Sequence, residues 1–152
     1  MRKLIAMFLF LSFSIQGFAQ FFKDNKNITR YEGYFTFYYD EGNDKIFLEI
    51  ENLDKEFLYV NALSEGIGSN DIGLDRGQLG NTRLVKFIKA GNKLLLIQPN
   101  QYYRAITNNI EEKKSVEQAF AKSILRGFRI KEFKNGKYLV DATSFFIRDA
   151  HG

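Results

Sequence analysis

The chain has 152 residues, enough for one domain of ordinary size, so a second core is not expected. With 45% hydrophobic residues, 16 Phe and 8 Tyr, it is not a disordered polymer, and with no cysteine it has no disulfide, thiol nucleophile or lipid-bearing cysteine. Setting Arg2 and Lys3 aside with the leader leaves 20 of the 22 basic residues against 18 acidic ones, too balanced to argue for nucleic acid.

The first 19 residues, MRKLIAMFLFLSFSIQGFA, combine two basic residues with an apolar run from Leu4 to about Ile15. Gly17 and Ala19 then stand at −3 and −1 of a cut before Gln20, the pattern of a signal peptide over residues 1–19. The run is shorter than the roughly 20 apolar residues of a membrane-spanning helix, so export is expected, periplasmic or secreted, with no integral membrane segment after cleavage. Residues 20–30 read as a loose leader, and the Asn27-Ile28-Thr29 sequon is too short a match to carry weight.

Period-2 alternation predicts a strand over Glu32 to Asp40, with Phe35, Phe37 and Tyr39 on one face and Tyr34, Thr36 and Tyr38 on the other. The cluster Glu41-Gly42-Asn43-Asp44 turns it into KIFLEIE (45–51), giving a first hairpin, and Glu56 to Leu63 is expected to continue the meander. Residues 64–81 carry five glycines and read as a long irregular loop. TRLVKFIK (82–89) and KLLLIQ (93–98) flank Ala90-Gly91-Asn92 as a second hairpin. Ser115 and Gln118 fit a capping box, Val116, Phe120, Ile124 and Ala121, Leu125, Phe128 recur at helical spacing, and Gly127 offers a stop, which predicts one helix over 115–126. A third hairpin pairs FRIKEF with KYLVDATSFFI across Lys134-Asn135-Gly136, with a strand expected from Leu139 to Ile147. The fold class is therefore mainly β, a curved or partly barrel-like antiparallel sheet of hairpins with one helix.

Catalytic constellations are sparse. The only histidine, His151, stands near Asp149, but a triad with Ser144 would have to be held at a free chain end. One histidine and no cysteine cannot supply the three or four such ligands of a common zinc site. The loop containing Asn70, Asp71, Gly73, Asp75, Arg76 and Gly77 offers oxygen ligands, yet lacks the calcium-loop register and closing glutamate, so turn chemistry is the better account. Gly66-Ile67-Gly68 lacks the third glycine and the crossover helix of a dinucleotide site. The aromatic row Phe35, Phe37, Tyr38, Tyr39 with Tyr102 and Tyr103 could stack sugars or bases, although strand-spaced aromatics usually form core.

GIGSNDIGLDRGQLG, VKFIKAGNKLLLIQPNQYYRA, SVEQAFAKSILRGF and YLVDATSFFIRDAHG, in that order, resemble the N-terminal domain of unknown function of large exported zinc-dependent metalloproteases of Gram-negative bacteria. The resemblance spans roughly residues 30–152 and implies a metzincin-like catalytic domain further on, whose zinc motif this sequence does not contain. It implies that residues 31–152 form a non-catalytic β-rich module, incomplete at its C-terminal end, with no cofactor of its own and no enzymatic activity alone. The partners implied are the downstream catalytic domain in cis and a peptide substrate. Asn70, Asp71, Gly73, Asp75, Arg76, Gly77, Asp149 and His151 are carried over as structural or interface residues, with no catalytic or metal role. The alternative is a standalone periplasmic β-module that binds a glycan or a peptide.

Overall fold

The computed structural model describes residues 18, 21–22, 27–66, 70–73 and 75–148. Eight antiparallel strands follow the chain: β1 (Ile28–Tyr31), β2 (Phe37–Asp40), β3 (Lys45–Ile50), β4 (Phe57–Tyr59), β5 (Arg83–Ala90), β6 (Lys93–Gln98), β7 (Ser123–Lys134) and β8 (Lys137–Asp141). Two short helices, α1 (Ile110–Ala119) and α2 (Thr143–Phe146), complete the described elements together with a 3-10 turn at Asn70–Ile72. The strand order is β1-β2-β3-β8-β7-β6-β5-β4, and the sheet is not closed, so the mainly β class holds without a barrel. Among the described residues no helix is long and apolar enough to cross a membrane.

The chain divides into two compact units whose boundary falls inside β7, between Arg129 and Ile130. Unit 1 comprises residues 1–51 and 130–143. Its β2–β3 hairpin follows the predicted turn: the buried Asp40 carboxylate accepts from the amides of Gly42 and Asn43, both at 3.1 Å, and Asp44 takes φ 50°. Tyr38, Phe47 and Leu139 are buried against Phe18, with Phe22 and Ile28 packed at the margin. The Asn135-Gly136 turn between β7 and β8 has φ 53° and 78°, the left-handed pair that this dipeptide supplies most readily.

Three expectations in unit 1 are corrected. The first strand is only Phe37–Asp40, while residues 32–36 bend and Ile28–Tyr31, inside the expected loose leader, forms β1 against β2. The meander stops at β3, which pairs with β8 rather than β4, because Leu48 and Ile50 are covered by pairing to Val140 and Tyr138. The strand expected to reach Ile147 ends at Asp141, whose carboxylate accepts from Thr143 N at 3.1 Å and Thr143 Oγ1 at 2.7 Å. That local bonding competes with the ladder and starts α2, so Phe145 and Phe146 lie on a helical turn.

Unit 2 comprises residues 52–129 and 144–152. The β5–β6 hairpin is as predicted, and Val85, Phe87, Leu94, Leu96, Ile97 and Phe128 are buried in it. Each such side chain contributes roughly 1.5–3 kcal/mol by leaving water. β4 pairs with β5 at Phe57↔Val85, stacking the Phe57 ring 5.6 Å from Phe87.

The helix expected over 115–126 lies six residues upstream in register and ends sooner. Asn109 caps it by accepting from Glu111 N at 2.9 Å, Glu111 and Glu112 sit in the first turn where the helix dipole favours carboxylates, and Ser115 is interior. Helical spacing of Leu125 and Phe128 loses to the β ladder: Leu94↔Phe128 and Leu96↔Arg126 pair across β6 and β7. Gly127 is then a packing glycine, not a stop, since a Cβ there would come within 3.3 Å of Leu95 Cδ2 on the neighbouring strand.

Candidate groove under the glycine-rich loop

An aromatic chain leads from the core of unit 2 to its surface. Phe87 meets Phe128 at 6.0 Å, Phe128 meets Phe145 edge-on at 5.4 Å, and Phe145 lies 5.8 Å from Tyr59. Arg126 on β7 donates to Ser144 Oγ, which ties the start of α2 to the strand. Beyond Phe145 opens a groove of about 720 Å³, lined by Tyr59 to Glu65, by Gly73 and Gln78 to Gly80, and by Phe145, Phe146 and Arg148.

The two ends of the glycine-rich segment pair with each other along this groove. Leu63 N donates to Gln78 O at 3.1 Å, Gly77 N to Leu63 O at 2.8 Å and Gly80 N to Asn61 O at 2.7 Å, around an Ala62↔Leu79 bridge. Gly77 (φ 77°) occupies the third place of the turn closed by Gln78 N→Asp75 O at 3.0 Å, where a side chain would be strained. A Cβ on Gly80 would stand 2.9 Å from Cγ of the exposed Asn61 side chain, which would have to turn aside to admit it. The regular pairing here was illegible because each half of the segment is broken by glycine.

The charges are mixed. Arg148 places its guanidinium 5.9 Å from the Phe145 ring, and Glu65 also lines the groove. Among the described residues β4 is the last strand in the order of the sheet, and the groove starts at its final residue, Tyr59. Among the described residues, no set of three or more His, Cys, Asp or Glu side chains is gathered as a metal site requires.

Of the residues singled out from sequence, Gly73 lines the groove, Gly77 locks its wall, Asn70 opens the 3-10 turn, and Asp71 and Arg76 are exposed on the loop. Asp75 is half-buried and accepts the Gln78 amide through its backbone carbonyl. Asp149 and His151 lie outside the described residues. Tyr59, Asn61, Glu65, Phe145, Phe146 and Arg148 were missed, since they come from two stretches some eighty residues apart with no common period. The one signal was the consecutive Phe145-Phe146-Ile147, too dense for a half-covered strand.

Unit 1 carries a polar cluster of its own. Glu49 is buried on β3, with Oε2 accepting from Tyr38 OH at 2.8 Å and Oε1 from Lys137 Nζ at 2.6 Å. Burial, and then the Glu49 hydrogen bond, push the Tyr38 phenol above its ordinary value. The same carboxylate raises Lys137, against the opposing effect of burial. This is a structural clasp between β2, β3 and β8.

Fold and groove define a mainly β protein whose antiparallel sheet is not closed and whose second unit carries an aromatic-lined cleft. Residues 77–152, half of the chain, match the family model described as Domain of unknown function (DUF5117), and the chain belongs to that family. Residues 15–66 match a second model, Domain of unknown function (DUF5118). No curated protein and no solved structure was found to match.

Proposed function

We propose that this chain is the non-catalytic N-terminal module of an exported zinc-dependent metalloprotease, and that it orients an extended peptide for a catalytic domain carried elsewhere. The observation that supports this reading is the groove beside β4, which stands at the edge of the sheet's strand order. An extended peptide could add to that edge through its backbone while its side chains meet Tyr59, Phe145 and Phe146, with Arg148 and Glu65 selecting charge. The exposed Leu58, Leu79, Ile106 and Ile110 of unit 2 offer apolar surface for the catalytic domain in cis. The leader and the four sequence segments named above are what connect the module to export and to metalloproteases.

Fluorescence anisotropy with a panel of labelled flexible peptides bearing aromatic and charged residues tests the reading. Saturable binding is expected, weakened severalfold by Phe146→Ala and by Arg148→Ala, whose side chains are exposed and whose loss leaves the unfolding midpoint in place. The peptides stay uncut, with or without added zinc. Failure of the whole panel to bind, or cleavage by this chain, defeats the proposal, and saturable binding of glycans instead favours a standalone binding module.

A further inference from the structure

Phe18 is 1% exposed and is part of the same cluster as Tyr38, Phe47 and Leu139, although the most obvious leader cleavage would remove it. Its carbonyl accepts from Phe21 N at 3.0 Å and Phe22 N at 3.3 Å, a turn that folds the segment back on itself. The Phe21 and Phe22 rings meet Phe47 edge-on at 5.7 and 5.4 Å, and Phe22 lies 4.9 Å from Tyr38. A cut after Ala19 keeps Phe21 and Phe22 but takes away the fully buried ring behind them. Deleting such a ring leaves a hole that surrounding side chains fill only in part, one of the larger losses a small core can suffer.

The sequence offers a second processing pattern upstream. Ser12 and Ser14 are small residues at −3 and −1 of the Ser14-Ile15 bond, behind the apolar run Leu4 to Leu11. A run of that length falls within the roughly 7–15 residues of a signal peptide's apolar region. The match to the second family model also begins at residue 15.

We propose that the leader is removed at the Ser14-Ile15 bond, so that the mature chain starts at Ile15 and keeps Phe18 as a plug in the core of unit 1. The inference rests on the export reading given above. The step is a hydrolysis by the host's signal peptidase: water adds across the amide, Ser14 leaves with the new carboxylate, and Ile15 gains the α-amino group.

The full 152-residue chain, expressed in a Gram-negative host, is recovered from periplasm and cytoplasm and read by intact mass and N-terminal sequencing. A periplasmic product starting at Ile15 is expected. A periplasmic product starting at Gln20, or at any residue other than Ile15, overturns the inference and leaves export standing. An unprocessed cytoplasmic chain overturns the export reading itself. The plug is checked with Phe18→Ala and Phe18→Leu in the full chain, comparing urea midpoints of the processed products. A lowered midpoint for alanine, largely recovered by leucine, is expected, and an alanine variant matching the parent refutes the plug.

Discussion

Replacing Glu49 by alanine should destabilise the protein by about 2–3 kcal/mol, nearly all of it through Tyr38. Tyr38 is 5% exposed, and its hydroxyl donates to Glu49 Oε2 at 2.8 Å. Without that acceptor a buried donor is stranded, which costs about 1–3 kcal/mol. Lys137 loses less, because its side chain is 37% exposed and Glu51 lies 3.4 Å away as a second partner, so its share is about 0–1 kcal/mol. Glu49→Gln keeps an acceptor for the phenol and should cost about 1 kcal/mol. Glu49→Ala combined with Tyr38→Phe should cost less than the sum of the two, with a coupling of about 1 kcal/mol. Urea unfolding at pH 7, with midpoint and slope fitted together, reads all four variants. An alanine variant within about 0.5 kcal/mol of the parent, or a glutamine variant as damaged as alanine, would refute the assignment of Glu49 as the buried acceptor.

The same cluster sets a pH dependence. The folded pKa values of Tyr38 and Lys137 both lie above their unfolded values, so their contribution is fully present below the unfolded values and is lost as pH rises through the folded ones. Thermal unfolding followed from pH 8 to 11 should show a decline beginning near pH 10, shallower in Tyr38→Phe, and a profile unchanged by that substitution would count against the clasp. For α1, Asn109→Ala removes a cap of about 1 kcal/mol from a helix that buries no residue, so helical ellipticity should fall while the global midpoint moves by less than about 0.5 kcal/mol. An equal loss at the global midpoint would show that α1 is coupled to the core.

The sequence by itself determined the elements whose signals are local. Glu41 to Asp44, Gly91-Asn92 and Asn135-Gly136 mark the turns of the β2–β3, β5–β6 and β7–β8 hairpins because those side chains, or the lack of one, set the backbone angles directly. Alternation placed β3, β5 and β6 within a residue or two, since each has an apolar face that must be covered whatever lies against it. The mainly β class followed from those pieces.

Only the tertiary structure decided which strands meet and which period wins. Leu125 and Phe128 satisfy helical and strand spacing alike, and it is the Leu94↔Phe128 pairing, with Gly127 lying against Leu95, that makes the segment a strand. The cap proved to be Asn109 and not Ser115, and β7 takes the residues after Lys122 that a helix from Ser115 would have used. The partnering of β3 with β8 joins residues about ninety apart, and the groove gathers Tyr59, Gln78 and Phe145 from three stretches of chain. No periodicity records such neighbours, because the free energy that selects them comes from burying faces together, which depends on the whole sheet and not on any one window of sequence.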